Sequence, residues 1–205
     1  MAATALGLPP PTLASSDNLV VTEFDPTQLY RISRFQSGEP FFGRSGANRF
    51  DAPGCELGAP EFGACYLGCT LEVAIAETLL HDEIAVDGEF QVSLDTLNSR
   101  YVHRFSGEQL RLLDLTGATL KRMAGHAELA GTADYSLTQQ WAKAVFDNPL
   151  AFDGFLYMSR HLNTERAVVL FDRAAGKIVH IFPSSALTNT SGFAAAAIML
   201  SIVAA

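Results

Sequence analysis

Glu77 is the residue of this chain whose surroundings most demand a chemical explanation. It lies in Leu71-Glu72-Val73-Ala74-Ile75-Ala76-Glu77-Thr78-Leu79-Leu80, a run that is otherwise apolar or small apart from its first turn. At helical spacing Leu71, Ile75, Thr78 and Leu79 share one side, while Val73, Ala76 and Leu80 occupy the other. A helix with so little polar surface is expected to be buried, with Glu77 within one turn of Val73, Ala74, Leu80 and His81. An ionised carboxylate there is costly unless a cation, a hydrogen-bond donor or a ligand compensates it. The plain alternative is a boundary glutamate that reaches solvent or pairs with a Lys or Arg.

Cations are available. Arg31, Arg34, Arg44 and Arg49 fall within one short stretch of a chain whose formal net charge is −8. A few placed arginines can hold a small anionic ligand, because the guanidinium fork matches phosphate oxygens. The same four residues could equally form a solvated charged face. The overall acidity argues against a general nucleic-acid binder, which needs clustered positive charge. His81, His103, His126, His161 and His180 form no H-x-x-x-H pair. The three cysteines form no C-x-x-C motif, and Cys65 and Cys69 have no second Cys/His pair at zinc-like spacing, so no metal site is expected. Reduced thiols in a cytoplasmic protein are the default. No G-x-S-x-G elbow, G-x-G-x-x-G or Walker-type loop is present.

The elements that must position these residues can be read from periodicity. Leu29–Phe35 alternates as a first strand, and Ala64–Gly68 reads as a second. Between them residues 36–63 are rich in Gly, Pro and polar residues, a long loop of the kind that usually carries function. A helix is expected over Thr70–Asp82, with Thr70 as N-cap and Glu72 favourable in the first turn. Phe90–Leu94 and Leu110–Leu115 read as strands, and Leu115–Ala124 and Leu137–Phe146 as helices, the latter capped by Ser136. Gly154–Arg160, Ala167–Phe171 and Lys177–Phe182 complete the strands, the last two joined at hairpin-like spacing. Strands and short helices without regular βαβ alternation make the fold α+β, a single domain with mixed or antiparallel sheets.

A hydrophobic fraction of 48%, with 14 Phe and one Trp among 205 residues, is ample for one core. Residues 1–26 read as a flexible arm, residues 27–185 as the folded domain and residues 186–205 as an apolar tail. That tail is too short for a membrane span and suits a packed helix, a homodimer contact or a partner contact. The N-terminus lacks the basic segment of a signal peptide.

Taken together, Tyr30-Arg31, Gly43-Arg44-Ser45-Gly46-Ala47-Asn48-Arg49-Phe50-Asp51, Tyr66-Leu67-Gly68, Ala76-Glu77-Thr78 and Gly154-Phe155-Leu156-Tyr157-Met158-Ser159-Arg160 resemble the RES domain family. The likeness runs through roughly residues 28–183, and the family's arginine, glutamate and serine fall on Arg31, Glu77 and Ser159. The resemblance implies a fold similar to the ADP-ribosyltransferases and cleavage of NAD⁺ between nicotinamide and ribose, with inorganic phosphate or water as acceptor. No prosthetic group is implied; NAD⁺ is substrate and phosphate a possible co-substrate. It also implies a bacterial toxin held in check by an Xre-type helix-turn-helix antitoxin. Loss of nicotinamide leaves an oxocarbenium-like ribosyl cation, which a carboxylate can stabilise. On that reading Glu77 is the catalytic carboxylate, and Arg31, then Arg49, binds the pyrophosphate. Ser159 orients the ribose or carboxamide, and Tyr66 offers a face for nicotinamide. Two other outcomes stay open: transfer of ADP-ribose to a protein, and a catalytically silent module that binds NAD⁺ or a partner.

Overall fold

The computed structural model describes residues 6–17, 19–54 and 58–205. An eight-stranded sheet organises them, from β1 (Val21–Phe24), β2 (Tyr30–Ser33), β3 (Ala64–Gly68), β5 (Tyr101–Gly107), β6 (Leu110–Asp114), β7 (Gly154–Met158), β8 (Arg166–Phe171) and β9 (Ile178–Ala186). Their order across the sheet is β1-β6-β7-β8-β3-β2-β5-β9. Only β6 and β7 pair in parallel; the other neighbours are antiparallel. The β6–β7 crossover carries α4 (Gly117–Arg122), α5 (Glu128–Gly131) and α6 (Tyr135–Phe146), as a parallel pair requires. A second, two-stranded parallel sheet joins β4 (Phe90–Val92) to β10 (Ile202–Ala204). The α+β expectation holds.

The central strands explain themselves. In β8 Ala167–Phe171 are all buried, and β7 is buried from Gly154 to Tyr157, so each reads as a nearly continuous apolar run covered on both faces. On one face Phe155, Tyr157 and Phe171 pack with Phe50 and with Trp141 of α6. The other packs Leu67, Leu112, Leu156, Val168 and Leu170. A third cluster gathers α2 (Leu71–Ala76), with Ile75 fully buried, against Val102, Leu187 and Ala196.

Several boundaries differ from the sequence reading. The helix expected over Thr70–Asp82 stops at Ala76, with Glu77 as its C-cap. Beyond it the amides of Leu79 (2.8 Å) and Leu80 (3.3 Å) both turn back onto the Ile75 carbonyl, which closes the helix in a tight turn. Thr70 is its N-cap as expected, its hydroxyl accepting from the Val73 amide at 3.2 Å. The cap of α6 is Asp134 rather than Ser136; its carboxylate accepts from the Ser136 amide at 3.0 Å.

Strands β8 and β9 form no hairpin. Asp172–Gly176 is a 3₁₀ turn that sends the chain across the sheet, and β9 pairs with β5 at the far edge. Strand β5, central to that pairing, was not anticipated, and neither was α3 (Leu94–Asn98).

The described part of the expected N-terminal arm packs on the domain. Residues Pro11–Ser15 form α1, β1 pairs with β6, and Leu13 is fully buried. Trp141 Nε1 donates to the Gly7 carbonyl at 2.9 Å, and Asn148 Nδ2 donates to the carbonyls of Leu13 (2.6 Å) and Ser16 (3.0 Å). Those donors sit on α6 and just after it, too distant in sequence for a local pattern to reveal. The apolar tail supplies α7 (Phe193–Met199) and β10, burying Ala196 while Ile198 and Met199 stay exposed. Among the described residues no helix is long and apolar enough to cross a membrane.

Candidate active site

Strands β3 and β7 flank β8 and both run antiparallel to it, so their C-terminal ends lie at one edge of the sheet. The chain leaves β3 into α2 and reaches Glu77; it leaves β7 straight into Ser159. Antiparallel β2 starts at the same edge, with Tyr30 opposite Gly68, and so delivers Arg31. Gly68 makes the tight β3–α2 junction possible. A Cβ there would lie 2.6 Å from the Ala74 amide nitrogen and 2.8 Å from the Thr70 carbonyl oxygen.

A cavity of about 490 Å³ opens at this edge, within the range of small-molecule sites. Arg31, Arg49, Tyr66, Glu77, Tyr157 and Arg160 line it, together with His81 and His161. The Ser159 hydroxyl donates to Glu77 Oε1 at 2.5 Å and accepts from the Leu162 amide at 3.0 Å. Ser159 is only 1% exposed. The donor that an awkwardly placed carboxylate required is therefore Ser159, a charge-assisted bond. Ser159 does not itself line this cavity. Where an orienting contact to a ligand was expected, the structure engages the hydroxyl in holding the carboxylate.

Arg31 Nη1 donates to the Tyr66 carbonyl at 2.9 Å, and its Nε lies 2.5 Å from Glu39 Oε2. The Nε contact is a close ion pair without hydrogen-bond alignment. Glu39 thus fixes Arg31 and offsets part of its charge. Arg49 donates to the Thr132 carbonyl, and its guanidinium lies 4.7 Å from the Tyr135 ring centroid. The four-arginine cluster divides. Arg31 and Arg49 reach the cavity, whereas Arg44 pairs with Asp172 and the Pro60 carbonyl (2.7 Å), and Arg34 is exposed elsewhere.

The loop bearing Arg49 is organised by Asp51, which is fully buried. Asp51 Oδ2 accepts from Ser45 Oγ (2.9 Å), Asn48 Nδ2 (3.0 Å) and the Asn48 amide (3.2 Å). Its Oδ1 accepts from the Tyr66 hydroxyl at 3.0 Å, and that hydroxyl accepts from the Phe50 amide at 2.9 Å. From α6, Thr138 Oγ1 donates to the Arg49 carbonyl at 2.5 Å and Gln139 Nε2 to the Gly46 carbonyl at 2.9 Å. Phe50 packs edge-on to Phe155 and Tyr157, with centroids at 5.1 and 4.9 Å. Burial, reinforced by the nearby carboxylates of Asp51 and Glu77 respectively, drives the Tyr66 and Tyr157 hydroxyls upward, so both are neutral donors.

The described thiols are inert. Burial pushes the Cys65 thiol up to about 12 and Cys69 up to about 11, so neither supplies a thiolate at neutral pH. Cys55 lies outside the described residues.

The sequence matches the RES domain family over residues 28–189. The chain belongs to the RES domain family. The matched span holds Arg31, Arg49, Tyr66, Glu77 and Ser159, and leaves α1, β1, α7 and β10 outside. Among solved structures, this RES domain is similar to a chain of the M. tuberculosis MbcT–MbcA toxin–antitoxin complex. The two share 16% identity at a TM-score of 0.53, covering 80% of this chain and 87% of that one. That is a likeness of fold. No curated protein matches the sequence.

Asp51, Tyr157, Arg160 and the histidine pair were given no role by sequence reasoning. Arg160 directly follows Ser159 and is the third arginine lining the cavity. His81 and His161 lie 80 residues apart in sequence, and only the convergence of the α2 and β7 ends shows that they meet.

Proposed function

We propose that this RES domain degrades NAD⁺ by breaking the bond between nicotinamide and ribose. The observation that carries the reading is the Glu77 carboxylate, held by Ser159, in a cavity walled by three arginines and four tyrosines. As nicotinamide departs with the bonding electron pair, positive charge develops on the ribose C1′ and ring oxygen. A preorganised carboxylate in a partly desolvated cavity stabilises that charge without reorganising. Glu77 would also accept from the ribose hydroxyls, aligning the sugar. Arg31, Arg49 and Arg160 suit the pyrophosphate, whose oxygens match guanidinium forks. Tyr66 and Tyr157 offer aromatic surface to the departing base.

The acceptor is inorganic phosphate or water; arginines lining the same cavity as Glu77 favour an anionic acceptor. In this reading the protein acts in the cytoplasm as a toxin and is neutralised by a protein antitoxin of the Xre helix-turn-helix type. Support for a partner comes from the family and from the toxin–antitoxin complex named for its structural neighbour. The test is nicotinamide release from NAD⁺ by purified protein, followed with and without phosphate. ADP-ribose 1″-phosphate would mark phosphorolysis and free ADP-ribose hydrolysis. Label transferred into a macromolecule would instead identify a protein ADP-ribosyltransferase. Folded protein that releases no nicotinamide under either condition refutes the proposal.

A further inference from the structure

His81 and His161 both line the cavity, their ring centroids 4.6 Å apart and their planes at 46°. With Glu77 they form a compact donor set: one imidazole nitrogen from each histidine and one carboxylate oxygen all lie within 4.8 Å of one another. The two chain ends that build the site also build this set. The turn after α2 places His81 on the side of Glu77, and the turn after β7 places His161 two residues past Ser159. The Ser159 amide fixes that second turn by donating to the Glu165 carbonyl at 2.9 Å.

We infer that Glu77, His81 and His161 form a divalent-cation site selective for Zn²⁺ and its close analogues, and that cation and NAD⁺ compete for Glu77. Two imidazoles and one carboxylate make a three-ligand set with room for a fourth, a pattern that suits Zn²⁺. Mg²⁺ and Ca²⁺ prefer all-oxygen surroundings and should bind poorly. Donors around tetrahedral zinc stand roughly 3.3 Å apart, given bonds of about 2.0–2.1 Å. Closing from 4.8 Å needs only small side-chain rotations, and His81, which is exposed, is free to make them. Among the described residues neither imidazole has a hydrogen bond to protein; His81 Nε2 lies 3.9 Å from Asp82 Oδ1. Ser159 already supplies the supporting bond that ligating carboxylates characteristically have. The other charged residues lining the cavity are Asp82, which favours a cation, and Arg31, Arg49 and Arg160, which oppose one. That balance points to a dissociable, inhibitory ion rather than a permanent one. Competition follows because a coordinated Glu77 cannot accept from ribose hydroxyls.

The cation site stands on geometry alone, whereas the competition rests on the proposed function, and the test separates them. Chelator-treated full-length protein is titrated with Zn²⁺ by calorimetry and with Co²⁺ by visible absorption. Saturable 1:1 binding is expected, with tetrahedral cobalt bands, weakened roughly tenfold or more by His81→Ala and by His161→Ala. Both variants should keep the wild-type circular dichroism spectrum, and Mg²⁺ should not displace cobalt. Absence of saturable binding, or binding unchanged in both variants, overturns the site. In turnover assays Zn²⁺ should raise the apparent KM for NAD⁺ in the wild type and much less in His161→Ala. Zinc that binds but leaves turnover unaffected overturns the competition. Zinc binding by a protein that never releases nicotinamide keeps the site and removes the proposed function.

Discussion

At the scale of single residues, the pair Ser159–Glu77 separates a group that touches substrate from one that positions it. Replacing Glu77 by Gln keeps shape and hydrogen bonding but removes the charge facing the ribosyl cation. Removal of one preorganised electrostatic partner typically costs ~10²–10³ in rate. Glu77→Gln is therefore expected to lower kcat by about that factor, with KM for NAD⁺ little changed, read by nicotinamide release. Ser159→Ala frees the carboxylate to rotate without abolishing its charge, and a loss of roughly tenfold in kcat is expected. A Ser159→Ala loss as deep as that of Glu77→Gln would show that the hydroxyl acts on substrate directly. The acid's importance was legible because an apolar helix with one carboxylate poses its own question. What satisfied it was not, since the answering hydroxyl lies 82 residues later and meets it only through sheet order.

At the scale of elements, the site depends on a loop without regular secondary structure. Residues 45–51 owe their shape to Asp51, whose two oxygens collect donors from the loop and from Tyr66 on β3. Asp51→Ala leaves buried polar partners unsatisfied, each costly in a low-dielectric interior. A destabilisation of about 2–3 kcal/mol is expected by denaturant titration, with a raised KM for NAD⁺ because Arg49 loses its anchor. An unchanged KM with lowered stability would mean that α6, through Thr138 and Gln139, holds the loop unaided. Local pattern found most strands, because β3, β7 and β8 are continuous apolar runs. It failed where tertiary contacts overrule the local signal. The turn at Glu77 ends a helix whose apolar period continues, and the 3₁₀ turn at Asp172–Gly176 has hairpin length but leads to the opposite edge. Strand β5 went unread because His103, Arg104 and Ser106 break any apolar alternation along Tyr101–Gly107.

At the scale of the whole molecule, those polar residues have a consequence for stability. His103 is fully buried at a register shift in β5, between β2 and β9. Its Nε2 lies 3.0 Å from Ser33 Oγ, and its Nδ1 lies 2.9 Å from Ser184 Oγ and 3.2 Å from His180 Nε2. Burial pushes its pKa down from 6.5 to about 4; Glu39 opposes the shift, while His180 and Arg31 add to it. The folded state therefore binds fewer protons than the unfolded chain between those two values, so stability rises with pH across that window. The contribution is complete above pH 6.5, is lost progressively as pH falls toward 4, and changes no further below. A loss of about 2 kcal/mol is expected, less than the full interval implies because Ser33 and Ser184 sit at partly exposed positions. The carboxylates lose their own contributions mainly below pH 5, so from pH 6.5 to 5 the histidines dominate; burial also lowers the pKa of His161, and the His103→Gln variant separates the two. There, the Tm of the wild type should fall with acidification, and that of His103→Gln, already lower at pH 7, should fall less, keeping only the share that His161 contributes. Because β2 carries Arg31 next to this cluster, the same acidification should weaken NAD⁺ binding in the wild type before the protein unfolds. Parallel slopes in wild type and His103→Gln would place the acid sensitivity elsewhere than in the sheet beneath the site.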